Sequence, residues 1–172
     1  MNLPYALLSL VSLVGTAIAD GAEIVAALDT ISADTASLND TVASWSGDLL
    51  GALPITVKST SLLADINKAT DTAEKSDTLS DIDTFTVAVT TADLIKDTNS
   101  TLAEIVATKP KFDELLLSPV IYLTLSSQKD ASGKLSAAIA DKVPSTFKSA
   151  AEALGAQLDA AFDAALDAYS LF

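Results

Sequence analysis

Near neutral pH, the only side chains in this sequence suited to acid or base catalysis are its 23 Asp and Glu residues. There is no His and no Cys, so the chain has no Ser-His or Cys-His pair, no disulfide, no imidazole switch and no zinc site of the Cys/His kind. Paired carboxylates acting on a glycan are the catalytic chemistry that remains. The aromatic platforms of such a sugar site would have to come from one Trp and three Tyr. Asp159, Asp163 and Asp167 recur at four-residue spacing, the pattern of a solvated acidic helix edge rather than a cation site. No catalytic residue, metal ligand or cofactor is assigned, and the chain is expected not to be an enzyme.

All ten basic residues are Lys, and the net charge is -13. Such a surface repels nucleic acid and anionic membranes. Without Arg there is no bidentate clamp for a carboxylate or phosphate, so a polar head group would rely on a hydroxyl, water, or an amide such as Gln128 or Gln157. Two glycosylation sequons begin at Asn39 and Asn99. Helical angle turns Asn99 into an apolar stripe and places Asn39 towards the edge of one, which makes Asn39 the better acceptor unless the helix is interrupted around 96–101.

The elements that must position these groups are helices. The chain has 172 residues, 49% of them hydrophobic and only 5% aromatic, which allows one domain with an aliphatic core. Residues 1–19 are uncharged and end in Ala17-Ile18-Ala19 before Asp20. This is the pattern of a cleaved signal peptide, with a membrane anchor as the alternative. The mature protein is then expected to be a single helical-bundle domain over 20–172, secreted and without a membrane span. The ending at Tyr169-Ser170-Leu171-Phe172 lacks the form of a GPI signal.

The organising stretch is 78–108. Ile82, Phe85, Val89, Ala92, Ala103 and Val106 share one stripe, and Val87, Leu94 and Ile105 fall nearly opposite. A helix apolar on two faces needs neighbours on both; Ser80 is its expected N-cap and Pro110 its stop. Before it, 21–46 carries Ile24, Leu28, Ile31, Leu38, Val42 and Trp45 at alternating three and four spacing, with Trp45 expected in the core. Residues 47–54, with two Gly and a Pro, read as an apolar loop folded over one end of the bundle as a plug or lid. A weaker helix follows over 55–73.

After it, 111–117 is a short helical piece, and Ser118-Pro119 is expected to cap and restart a helix running to 142. Residues 115–125 are the most apolar stretch of the mature chain, expected to be buried on all sides or to touch something hydrophobic. The last helix, 145–169, places Phe147, Ala151, Leu154, Leu158, Phe162, Leu166 and Tyr169 on one face.

The leader, the Ile24-Leu28-Ile31-Leu38 helix, the Ser118-Pro119-Val120 restart, the Lys142-Val143-Pro144 turn and the Ala165 to Tyr169 ending (ALDAY) together resemble the fungal hydrophobic surface-binding protein A family. That family includes lipid-binding domains of cell-wall galactomannoproteins. The resemblance covers nearly all of the mature chain and implies a secreted, non-enzymatic five-helix bundle. Such a bundle adheres to hydrophobic surfaces or holds a fatty acid inside. The Ser/Thr-rich tail of the galactomannoproteins is missing here.

The residues support hydrophobic binding independently. Helices that mix Leu, Ile and Phe with many Ala can leave a cavity between them. Burying about 16 methylenes at about 0.8 kcal/mol each gives roughly 12 kcal/mol, against an association cost of roughly 4–15 kcal/mol. The expected hydrophobic-binding set is Leu28, Ile31, Phe85, Val89, Leu115, Leu116, Val120, Leu123, Phe147, Leu154, Leu158 and Phe162. The expected partners are a fatty acid or another hydrophobic ligand or surface, and a secreted hydrolase acting on hydrophobic polymers. The alternative is a structural or antigenic cell-wall protein with no small ligand, in which every one of these residues is simply core.

Overall fold

The computed structural model describes residues 19–170, so the leader at 1–18 lies outside the described residues. Six helices form among them rather than five: α1 (Ala19–Ala43), α2 (Leu49–Lys75), α3 (Asp81–Ala107), α4 (Lys109–Glu114), α5 (Ser118–Ala140) and α6 (Lys148–Tyr169). Five are long. The addition to the count is α4, the short piece expected over 111–117.

Local chemistry sets the ends. Ser80 caps α3 by accepting from Asp83 N at 3.1 Å, with Asp81 and Asp83 at the positive end of the dipole. Pro110 ends α3 and opens α4, because its missing N–H is no loss in a first turn. The expected loop at 47–54 is instead the start of α2. Asp48 accepts from Gly51 N at 2.8 Å, and Trp45 Nε1 donates to Asp48 O at 2.8 Å. Pro54 falls in the second turn, so the carbonyl of the exposed Leu50 is left without its helical donor. A Cβ on Gly51 would lie 2.6 Å from the Trp45 indole, so only glycine lets the ring cross there. Leu49, Leu50 and Leu53 consequently stand exposed on the first turns of α2 and close over nothing.

Two other capping and packing expectations are corrected. Ser118 is already the first residue of α5 and donates from Oγ to Asp113 instead of capping. On α3, the stripe buried in the core is Val87, Leu94, Ile105 with Thr84 and Leu102, whereas Ile82, Phe85 and Val89 are exposed. Both stripes are apolar by periodicity; α1 and α6 cover one broad side of α3 and leave the other open.

Hydrogen bonds between helices fix their directions. Thr101 Oγ1 donates to Thr35 O at 3.2 Å and Ser32 Oγ to Asp97, so α1 and α3 run the same way. Gln128 Nε2 donates to Ser59 O at 3.3 Å and Lys142 Nζ to Ser76 O at 2.6 Å, so α2 and α5 run together in the opposite sense. Lys129 lies between Asp159 and Asp163 and ties α5 to α6.

The long helices touch in the cycle α1–α3–α6–α5–α2–α1, a closed ring of five. Five axes spaced about 9 Å apart stand about 7.5 Å from the centre. Ideal cylinders about 5–6 Å in radius would leave an axial gap about 2 Å in radius, which buried core side chains interrupt here. That radius matches the half-thickness of a hydrocarbon chain, whose carbons meet others at about 3.5–4.0 Å. A ring of four at the same spacing would leave only about 1 Å.

One end of the ring is closed by aromatic packing. Phe112, placed by α4, stacks 4.6 Å from Trp45 and lies 6.5 Å from Tyr169, and Trp45 is core as expected. The Tyr169 hydroxyl donates to Ile105 O at 2.7 Å. Burial, with the charge of Asp113 second, holds its pKa far above the ordinary value near 10. A raised pKa means that the folded state resists ionisation, so this contribution is complete below pH 10 and is lost as pH rises above it. In urea titrations Tyr169→Phe is expected to lose about 1 kcal/mol at pH 7 and to show a shallower stability loss than the wild type above pH 10.

Candidate lipid chamber

At the opposite end of the ring the packing is incomplete. α3, α5 and α6, with Leu28 of α1, enclose a chamber of about 260 Å³. Its walls are Val87, Leu94, Leu135, Ile139, Leu154 and Leu158. Small residues on both helices of the α3/α6 seam, Ala88 of α3 and Ala150 and Ala151 of α6, are part of its lining and leave room there. Gly155 brings α6 so close to α5 that a Cβ there would lie 3.1 Å from Ser136 Cβ. The two helices therefore hold their spacing without filling the seam.

Phe85, 71% exposed, and Phe147, 37% exposed, flank the mouth. Further along the axis, a second space of about 30 Å³ carries Thr35, Thr98, Thr101, Gln128 and Ser132 among its lining, room for about one water. Leu94, Leu135 and Leu158 belong to both spaces and separate them.

The expected binding set divides three ways. Leu28, Phe85, Phe147, Leu154 and Leu158 line the chamber, and Ile31, Phe162 and Gln128 line the second space with Leu158. Leu115 packs half-buried against the core. Val89, Leu116, Val120 and Leu123 are exposed and line neither space, and neither does Gln157, which faces solvent. The stretch 115–125 is thus largely an outer surface. Leu116, 85% exposed with φ 58°, is the hinge between α4 and α5.

Leu49, Leu50, Leu53 and Val57 at the start of α2 are exposed as well. The Ser59–Gln128 bond sets α2 and α5 in register, so these residues and Val120 and Leu123 gather at the aromatic end of the bundle. The sequons are placed the other way round from the helical-angle reading. Asn99 is exposed on an unbroken α3, while Asn39 is half-buried and its Oδ1 has no partner among the described residues.

Thr84 went unnoticed in the sequence. It lines the chamber, is 4% exposed, and its Oγ1 has no hydrogen-bond partner among the described residues. The available signal was a polar side chain on the same α3 face as Val87 and Leu94, one helical turn inside the Ser80 cap.

The sequence pattern of hydrophobic surface binding protein A matches residues 21–141. The chain belongs to that family. It is 31% identical over 156 residues to cell wall mannoprotein 1 of Aspergillus fumigatus, and 32% identical over 121 residues to that of Aspergillus flavus. These matches take in 90% and 69% of this chain. The chain spans about half the length of these relatives, 54% and 44%.

Among solved structures, Afmp4p in complex with palmitic acid superposes with a TM-score of 0.85 at 30% identity, over 87% of this chain and 99% of that one. Ligand binding domain 1 of the Penicillium marneffei MP1 protein, complexed with arachidonic acids, gives 0.84 at 17% identity, over 88% and 99%. The second likeness speaks to the fold alone.

Proposed function

We propose that this family member is an exported, non-enzymatic carrier of a fatty acid or a similar single-chain lipid, held in the chamber between α3, α5 and α6. The observation that carries the reading is an apolar space inside a five-membered helical ring, opening beside two exposed phenylalanines. The likeness to a palmitate-bound protein at 30% identity supports it. An apolar cavity of about 150 Å³ takes a benzene ring, about 25 Å³ per carbon, so 260 Å³ corresponds to about ten carbons. A 16-carbon chain therefore parts Leu94, Leu135 and Leu158 and enters the second space. This follows the axial gap of the ring.

The exposed leucines at the aromatic end support a second activity, adsorption to hydrophobic solids. Leu50, Leu53, Leu116 and Leu123 lie on the far side of the molecule from the chamber mouth, so the two activities are separable. The chamber supports the carrier reading over that of a cell-wall protein without a ligand.

Residues 20–172, purified and delipidated, are expected to displace a fluorescent fatty-acid probe with micromolar affinity, and protein from the native host is expected to carry acyl chains in native mass spectrometry. Failure of both measurements sinks the carrier reading; failure to adsorb to polyester sinks only the second.

A further inference from the structure

An apolar chamber leaves open what kind of head group it accepts, and the charges around it decide that. Among the described residues no ionisable side chain lines the chamber. The charged residues in the same stretches of the surrounding helices are Glu23 and Asp29 on α1, Asp81, Asp83 and Asp93 on α3, Lys134, Asp141 and Lys142 on and after α5, and Lys148, Glu152 and Asp159 on α6. None of them is part of the lining.

Of these three lysines Lys142 and Lys148 are occupied, and Lys134 lines a separate groove with Glu74 and Asp141. Lys142 Nζ donates to Glu74 O at 2.8 Å and to Ser76 O at 2.6 Å, and Lys148 pairs with Asp141 at 3.2 Å. The charges left over are mostly acidic. An ionised carboxylate inside would meet a low-dielectric wall with no counter-ion, which strongly favours the neutral acid.

Against that wall stands one unsatisfied hydroxyl. Eleven other helical threonines donate to a carbonyl four residues back: Thr30, Thr41, Thr56, Thr60, Thr70, Thr72, Thr86, Thr90, Thr91, Thr101 and Thr124. Thr84 does not, although Ser80 O accepts from its backbone N–H at 2.8 Å and so lies close by. A buried hydroxyl without a partner is costly and is relieved by any uncharged oxygen brought beside it. From Thr84 to Leu94 the chamber wall follows ten residues of α3, about 15 Å of helix. A head group at Thr84 thus sits at the mouth end, with the tail directed at the three-leucine partition.

Resting on the carrier reading above, the geometry points to a chamber that selects lipids with an uncharged oxygen head group (a protonated carboxylic acid, an alcohol or an ester), hydrogen-bonded by the Thr84 hydroxyl. A free fatty acid enters as its acid form. Its affinity is complete below the ordinary carboxyl range and falls by up to about tenfold per pH unit until the raised pKa of the bound acid is reached.

The test uses ten-carbon ligands, which match the volume, and displacement of the neutral probe N-phenyl-1-naphthylamine from the full mature chain. Decanoic acid is expected to bind at least about tenfold more weakly at pH 8 than at pH 5, while decan-1-ol and methyl decanoate change less than about twofold. Thr84→Val should weaken decan-1-ol about five- to tenfold and leave 1-decene unchanged. Its melting temperature when empty should equal or exceed that of the wild type, because the substitution removes an unpaired polar atom.

Decanoate binding at pH 8 as tightly as decanol, and selectively weakened by Lys148→Gln, would place an ionised head group at the mouth and overturn the inference. So would a Thr84→Val protein that binds every ligand like the wild type. If no ten-carbon compound binds, 1-decene included, the carrier reading itself fails.

Discussion

Ala151→Trp is expected to abolish fatty-acid binding, by at least about 100-fold, in a protein that still folds. Ala151 is half-buried on α6 and forms part of the chamber wall between α6 and Ala88 of α3. The substitution adds nine ring atoms, which at about 25 Å³ each occupy about 225 Å³ of the 260 Å³ present. Filling existing space is unlike overpacking a full core, which costs about 1–3 kcal/mol, so the melting temperature should hold or rise. Ala156→Trp, about a turn and a half on and exposed, is the matched control and should bind normally. Probe displacement with both variants and circular dichroism on the same samples give the answer. If Ala151→Trp binds as the wild type does, the lipid sits elsewhere, and the exposed leucines at the other end are the first place to look.

The sequence made the helices legible because their apolar residues recur at helical spacing, and because Ser80, Pro110 and Pro144 mark ends in ways that survive folding. Leu28, Leu154, Leu158 and Phe162 were readable as inward-facing for the same reason. What periodicity does not carry is which of two apolar stripes meets a neighbour. Ile82 and Val87 are equally good core residues in isolation, and only the ring order α1–α3–α6 buries the second and exposes the first.

Composition misled at 47–54 in a similar way. Two Gly and a Pro look like a loop until Asp48 and the Trp45 indole are seen to hold the first turn of α2. The chamber was foreseen only in kind, as uneven bulk between helices. Its position depends on three residues that pack no side chain of size, Ala88, Ala151 and Gly155, and small residues leave no hydrophobic signal. The head-group candidates failed for the opposite reason. Gln128 and Gln157 attract notice as amides, but one is committed to Ser59 O and the other faces water. The unpaired hydroxyl of Thr84 looks in sequence like any other threonine of this Thr-rich chain.

Phe112→Ala should produce the largest loss of stability, and it should do so without touching the ligand. Phe112 is 1% exposed, the one buried side chain of α4, between Trp45 and Tyr169. Truncating a buried phenylalanine costs about 3–5 kcal/mol, a large part of the roughly 5–15 kcal/mol by which a domain is stable. For a chain of this length, that lowers the melting temperature by about 10 °C or more. α4 has only six residues, too few to persist by its own hydrogen bonds, so losing this anchor also frees the α3–α5 connection.

The chamber lies at the other end of the ring, bounded by residues that Phe112 does not join. Below its melting point the variant should therefore bind probe with wild-type affinity, and saturating ligand should raise its melting temperature by the same linkage that operates in the wild type. An affinity loss in the folded variant would mean that the two ends are coupled through the five long helices. In that case the leucine partition, rather than the α3/α6 seam, would be the element that decides whether a lipid enters.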